Sequence, residues 1–112
     1  MITFKDGVTC KGVTREIFEA MLLAEETWGS ITVTSLTDGV HPGRPLAGDT
    51  QDPHYVGKAV DLRVWTIPRD DRPKAVEALR LALKTRNPKY WLLWEAIDKP
   101  NEHVHIQIGH VS

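Results

Sequence analysis

One stretch of the sequence, His103-Val-His-Ile-Gln-Ile108, alternates strictly between polar and aliphatic side chains. Successive side chains of a β-strand point to opposite faces of a sheet, so the aliphatic residues share one face and the two histidines and Gln107 share the other. The pattern predicts a strand with one face against a hydrophobic core and one polar face. A chain with such a strand needs a second layer that covers only the apolar face of its sheet.

Three further segments are predicted to be strands. Ile31–Leu36 alternates and is rich in β-branched residues. In Ala59–Trp65 the aliphatic residues share one face, and Asp61 and Arg63 share the other. Tyr90–Glu95 is apolar on both faces, which predicts a central strand of the sheet.

Two segments carry the periodicity of helices. The first follows Thr14, a suitable N-cap, and ends at Gly29. The second begins near Asp70 or Asp71, has a proline in its first turn, and cannot continue past Pro88. The predicted fold class is therefore α+β, with two helices packed on a small, mainly antiparallel sheet.

Composition restricts the class of protein. The chain has 112 residues, 41% hydrophobic and 26% charged, which predicts a single domain over residues 1–112, expected to be a monomer. A formal charge of −1 argues against nucleic acid as a partner, and no apolar run is long enough for membrane insertion. The first residues lack the pattern of a signal peptide, so we expect synthesis in the cytoplasm without one.

A long segment between the first two predicted strands, Thr37–Lys58, is rich in turn-forming pairs such as Asp-Gly and Pro-Gly. Loops of this length in a small domain are usually functional or disordered, and here we expect a functional loop. Cys10 is the only cysteine, so any metal must be held by nitrogen and oxygen side chains.

Several of these side chains are expected to converge. His103 and His105 project from one side of their strand, and Asp61 projects from the polar face of its own. If both strands belong to one antiparallel sheet, the aspartate and a histidine can meet, and His54 can fold back to them through Gly57. Two imidazoles and a carboxylate suit zinc with an open fourth position.

A carboxylate that is not a ligand is then needed to move a proton, and Glu102 is the candidate. On a regular strand Glu102 and His105 face opposite sides, so this role requires a bend at Glu102. Structural explanations also exist: a His-X-His pair is often only solvated, and Asp61 could form a salt bridge with Arg63 or cap a loop amide.

The same residues resemble a known family. His54-Tyr-Val-Gly57-Lys-Ala59-Val-Asp61, followed by Glu102-His-Val-His105, is similar to the motifs of the zinc D-alanyl-D-alanine carboxypeptidases and L-alanyl-D-glutamate endopeptidases. That family includes vancomycin-resistance dipeptidases and phage endolysins and shares its fold with the hedgehog signalling domain. The resemblance spans about residues 31–109 and is closest to the short, phage-encoded type.

The resemblance implies zinc ligands at His54, Asp61 and His105 and a general base at Glu102. It also implies cleavage of an amide bond in the peptide stem of peptidoglycan, by a protein that reaches the wall after release or virion delivery. The sequence departs from the family at Asp52, which replaces the motif serine, and in having no arginine near Thr37.

Because that arginine is missing, stabilising the charge of the substrate carboxylate or oxyanion would be left to the zinc itself. His41, Arg63 or His103 would help. The main alternative is a zinc-binding module of the same fold without catalysis, such as a structural or virion-associated component. A metal-dependent nuclease is a weaker alternative, because the near-neutral charge offers no surface for a phosphate backbone.

Overall fold

Two helices pack on one face of a five-stranded mixed sheet, which confirms the α+β class. The computed structural model describes residues 1–10, 12–36 and 58–109. The elements in chain order are β1 (Ile2–Phe4), α1 (Arg15–Trp28), β2 (Ile31–Ser35), β3 (Ala59–Arg63), a short 3-10 helix (Arg69–Asp71), α2 (Arg72–Arg86), β4 (Tyr90–Glu95) and β5 (His103–Ile108).

The strand order is β1-β2-β3-β5-β4, with β1 parallel to β2 and every other neighbouring pair antiparallel. The sheet is therefore mainly antiparallel, as predicted. The strand β1 was not expected, because three residues carry too little pattern to be recognised without their partner. The third strand ends at Arg63, two residues earlier than predicted.

The prediction that Tyr90–Glu95 is a central strand is wrong, because β4 lies at the edge of the sheet that the described strands form. Tyr90 and Leu92 are buried on the helix side, but Trp91 and Leu93 on the other face are 37% and 40% exposed. The Lys84 ammonium lies 4.3 Å from the centre of the Trp91 ring. The apolar residues on this outer face are therefore partly exposed, and a lysine side chain contacts one of them, so the strand is not buried on both faces.

The helix ends follow the predicted signals. The side chain of Thr14 accepts a hydrogen bond from the amide of Ile17 at 3.4 Å. Gly29, with φ +87°, closes α1 by donating its amide to the carbonyl of Glu25 at 2.7 Å. The second helix begins at Arg72, directly after the 3-10 turn, and ends before Asn87.

The core lies between the helices and the apolar face of the sheet. It joins Ile17, Met21 and Leu79 of the helices to the aliphatic residues of β3 and β5. Tyr90 is fully buried, and its hydroxyl lies 2.6 Å from the carbonyl of Glu16 and 2.8 Å from the carboxylate of Glu19. Burial and the contact with Glu19 raise the pKa of Tyr90 far above its ordinary value.

A search of the described helices finds none with the length and apolar character that crossing a membrane requires.

Candidate functional site

The pairing of β3 with β5 brings predicted site residues together on the sheet face away from the helices. Asp61 lies directly opposite His105, and Arg63 lies opposite His103. Nδ1 of His105 is 2.9 Å from Oδ1 of Asp61. His105 is only 4% exposed, and the Asp61 side chain is 15% exposed. The expected meeting of an aspartate and a histidine across two antiparallel strands is confirmed.

Both ring nitrogens of His105 face an acceptor. Nε2 lies 2.7 Å from Oε1 of Gln107, whose amide nitrogen donates to the carbonyl of Gly109 at 3.3 Å. Burial lowers the pKa of His105, but the hydrogen bond and charge of Asp61, the Gln107 acceptor and the charge of Glu95 outweigh it and raise the pKa above its ordinary value. Folding therefore favours the protonated form of this imidazole more than solution does.

His103 extends this polar face toward β4. Its Nε2 lies 3.2 Å from a carboxylate oxygen of Glu95 and 4.0 Å from Oδ2 of Asp61, and its Nδ1 lies 2.8 Å from the carbonyl of Asn101. Sequence reasoning missed Glu95. The signal for it was the register of β4 against β5, which places Glu95 opposite His103.

Arg63 lies two residue pairs along the strands from the Asp61–His105 pair. Its guanidinium carbon is 4.2 Å from the centre of the Trp65 ring. Across residues 1–10, 12–36 and 58–109, Arg63 forms no ion pair, so the predicted alternative of a salt bridge between Asp61 and Arg63 is absent.

Glu102 lies apart from these residues. Its carboxylate accepts hydrogen bonds from Arg72 at 2.9 Å, from the indole of Trp94 at 2.8 Å and from the amide of Asp98 at 3.1 Å. Trp94 pairs with Val104, which belongs to the apolar, helix-covered face. The structure therefore does not bring Glu102 to the Asp61–His105 pair.

Two predicted site residues, His41 and His54, lie outside the described residues, as does most of the predicted loop. Within the part of the chain that the structure describes, no three His, Cys, Asp or Glu side chains are arranged to hold a metal ion. Asp61 and His105 nevertheless supply the oxygen and nitrogen donors that zinc accepts, already next to each other. They fit two positions of a site whose third predicted ligand is His54.

Other proteins add nothing to this description. Comparison of the chain with models of known families, with curated protein sequences and with solved structures finds no match.

Proposed function

We propose that this protein is a zinc-dependent peptidase that hydrolyses an amide bond in the peptide stem of peptidoglycan. The observation that carries the proposal is the 2.9 Å contact between Asp61 and His105 on the sheet face that the helices leave uncovered. The strand pattern allows these two residues, 44 apart in the chain, to meet if their strands pair, and β3 and β5 do pair.

Asp61, His105 and His54 are the residues that would hold the metal. Zinc, when bound, supplies a Lewis acid and an activated water at neutral pH. The chain itself contributes the placement of the donors: Gln107 fixes the ring of His105 from one side and Asp61 from the other. Metal binding requires that the nitrogen of His105 that faces the metal carries no proton, so protonation of the ring opposes binding.

Arg63 and His103 are the candidates for contact with substrate among the described residues, and His41 is the third candidate. Arg63 stacks on the ring of Trp65, and its guanidinium carries the fork of N–H donors that suits a carboxylate. A strand rises about 3.3 Å per residue, so Arg63 lies about two peptide residues from Asp61. This spacing suits a carboxylate close to the bond that is cut.

A second function, a zinc-binding module without catalysis, is favoured by one observation. The resemblance assigns proton transfer to Glu102, yet all three hydrogen bonds of its carboxylate are made on the helix side of the sheet. A base at Glu102 would have to leave Arg72, Trp94 and Asp98 first. The structural or virion-associated alternative needs no such movement.

Zinc content and wall hydrolysis separate these functions. We expect one zinc per chain by elemental analysis and release of peptide fragments from purified peptidoglycan. Asp61→Asn should lose both, while Asp6→Asn, on the exposed turn after β1, should keep both. Zinc without hydrolysis in the wild type would favour the non-catalytic module, and a wild type that binds no zinc would exclude both.

A further inference from the structure

The connection between β4 and β5 is held in an unfavourable backbone conformation. Ala96 and Asp98 have φ +55° and +68°, in the left-handed region that residues with a Cβ rarely adopt. Two local hydrogen bonds, from Lys99 to Ala96 and from Glu102 to Lys99, are both 3.0 Å long. Since such positions persist only where surrounding contacts enforce them, other contacts must hold this connection.

Those contacts join the start of α2 to the Glu102 carboxylate. Arg72 donates through one nitrogen to the carbonyl of Ile67 at 2.9 Å and through another to the Glu102 carboxylate at 2.9 Å. The same carboxylate accepts from the amide of Asp98, inside the strained turn. Arg69 also binds the carboxylate of Asp98. The connection is thus tied at two points to the 3-10 turn and helix that lie on the covered side of the sheet.

We propose that the Arg72–Glu102 ion pair positions the Asp61–His105 pair by fixing where β5 begins, and the consequence for zinc rests on the proposed function. Glu102 directly precedes His103, the first residue of the strand. If the pairing of β5 slipped by one residue, His103 and His105 would turn toward the helices. Val104 and Ile106 would then turn toward the sheet face away from the helices. Arg72 is therefore a positioning residue for a site on the opposite side of the sheet.

The energetics favour this role over simple stabilisation. The Glu102 side chain is 2% exposed and that of Arg72 is 15% exposed, so both charges have lost most of their water. Well-packed hydrophobic residues can stabilise a fold as much as a buried ion pair does, but they can pack against several alternative neighbours. A buried charge needs its counter-charge at one position. An ion pair with the additional acceptor contacts of Glu102 is satisfied in only one register of β5.

The test uses Arg72→Gln and Glu102→Gln, singly and together, with Arg72→Lys as a milder variant that keeps the charge. Glu77→Gln removes the exposed ion pair between Glu77 and Arg80 on the same helix and is the matched control. Zinc alone is titrated against a competing chelator. The pairing of Leu62 with Val104, read from cross-strand NMR contacts, reports the register without any metal.

Each single glutamine variant should lose the Leu62–Val104 contacts in part of the population and bind zinc at least tenfold more weakly. The double variant should be no worse than either single one, and Arg72→Lys should recover part of the loss. A wild-type register in Arg72→Gln would overturn the proposal. If the wild type binds zinc, an unchanged zinc affinity in Arg72→Gln would overturn it as well. A wild type that binds no zinc would defeat the proposed function alone, because the register measurement still decides this one.

Discussion

Two carboxylates flank β5 and have opposite surroundings. Asp61 lies on the sheet face away from the helices, against an imidazole, whereas Glu102 lies on the helix side, against a guanidinium, an indole and a backbone amide. The partner of Asp61 can lose its proton and become a metal ligand, but the partners of Glu102 are permanent donors. In the proposed function, the first carboxylate would hold the metal and the second would fix the backbone at the start of β5.

The largest expected difference between the two is in folding stability. Glu102→Ala leaves the largely buried Arg72 without its counter-charge and should cost about 3 kcal/mol of unfolding free energy. Asp61→Ala, in the metal-free protein, removes the carboxylate that contacts His105 at a partly exposed position and should cost less, about 1.5 kcal/mol. Denaturant unfolding of both variants measures the order, and a larger loss for Asp61→Ala would contradict it.

A smaller effect tests whether Glu102 is fully satisfied. Trp94→Phe keeps an aromatic ring but removes the indole N–H that donates to Oε2 of Glu102. This should lower the free energy of unfolding by about 2 kcal/mol. Trp91→Phe, on the exposed face of the same strand, is the control and should change stability by less than about 1 kcal/mol. Equal losses in the two variants would mean that the Trp94–Glu102 bond contributes nothing.

The pH dependence of stability and of zinc affinity tests the Asp61–His105 pair. Because folding raises the pKa of His105, its stabilising contribution is complete below the unfolded imidazole pKa of about 6.5 and is lost as pH rises through the folded value. Metal-free His105→Gln should lack this decline, measured by denaturant unfolding across that range. Zinc affinity should change in the opposite sense and increase with pH, since binding releases the proton. A zinc affinity that does not vary with pH would contradict the placement of His105 as a ligand.

The smallest expected effect concerns the edge of the site. Trp65→Leu removes the ring beneath Arg63 and should cost about 0.5 kcal/mol, because the ring is half exposed. The same variant should weaken binding of peptides with a free carboxylate more than of their amidated forms. Calorimetric titration of matched peptides measures this, and an unchanged preference would remove Arg63 from the substrate site.

The strand periodicity allowed much of the site to be predicted. The alternation in β3 and β5 placed Asp61, His103 and His105 on one polar face, and the structure confirms the contact between Asp61 and His105. The same alternation placed Glu102 on the other face, and only an assumed bend moved it toward the site. The bend is absent because Arg72, far away in the chain, binds the carboxylate where the regular strand leaves it.

Other features required the tertiary structure. Apolar residues on both faces of β4 do not distinguish a central strand from an edge strand whose outer side is partly covered by Lys84. The role of Glu95 depends on its register against His103, which the sequence of β4 alone does not specify. The short strand β1 exists through its parallel pairing with β2.

The most direct measurement is zinc titration of the purified wild-type chain beside Asp61→Asn, with the folding of both verified. The account predicts one zinc per wild-type chain and a severe loss of affinity in Asp61→Asn, because the variant keeps the shape of the side chain but removes the anionic ligand. No zinc binding by the wild type, or equal binding by the two proteins, would contradict it.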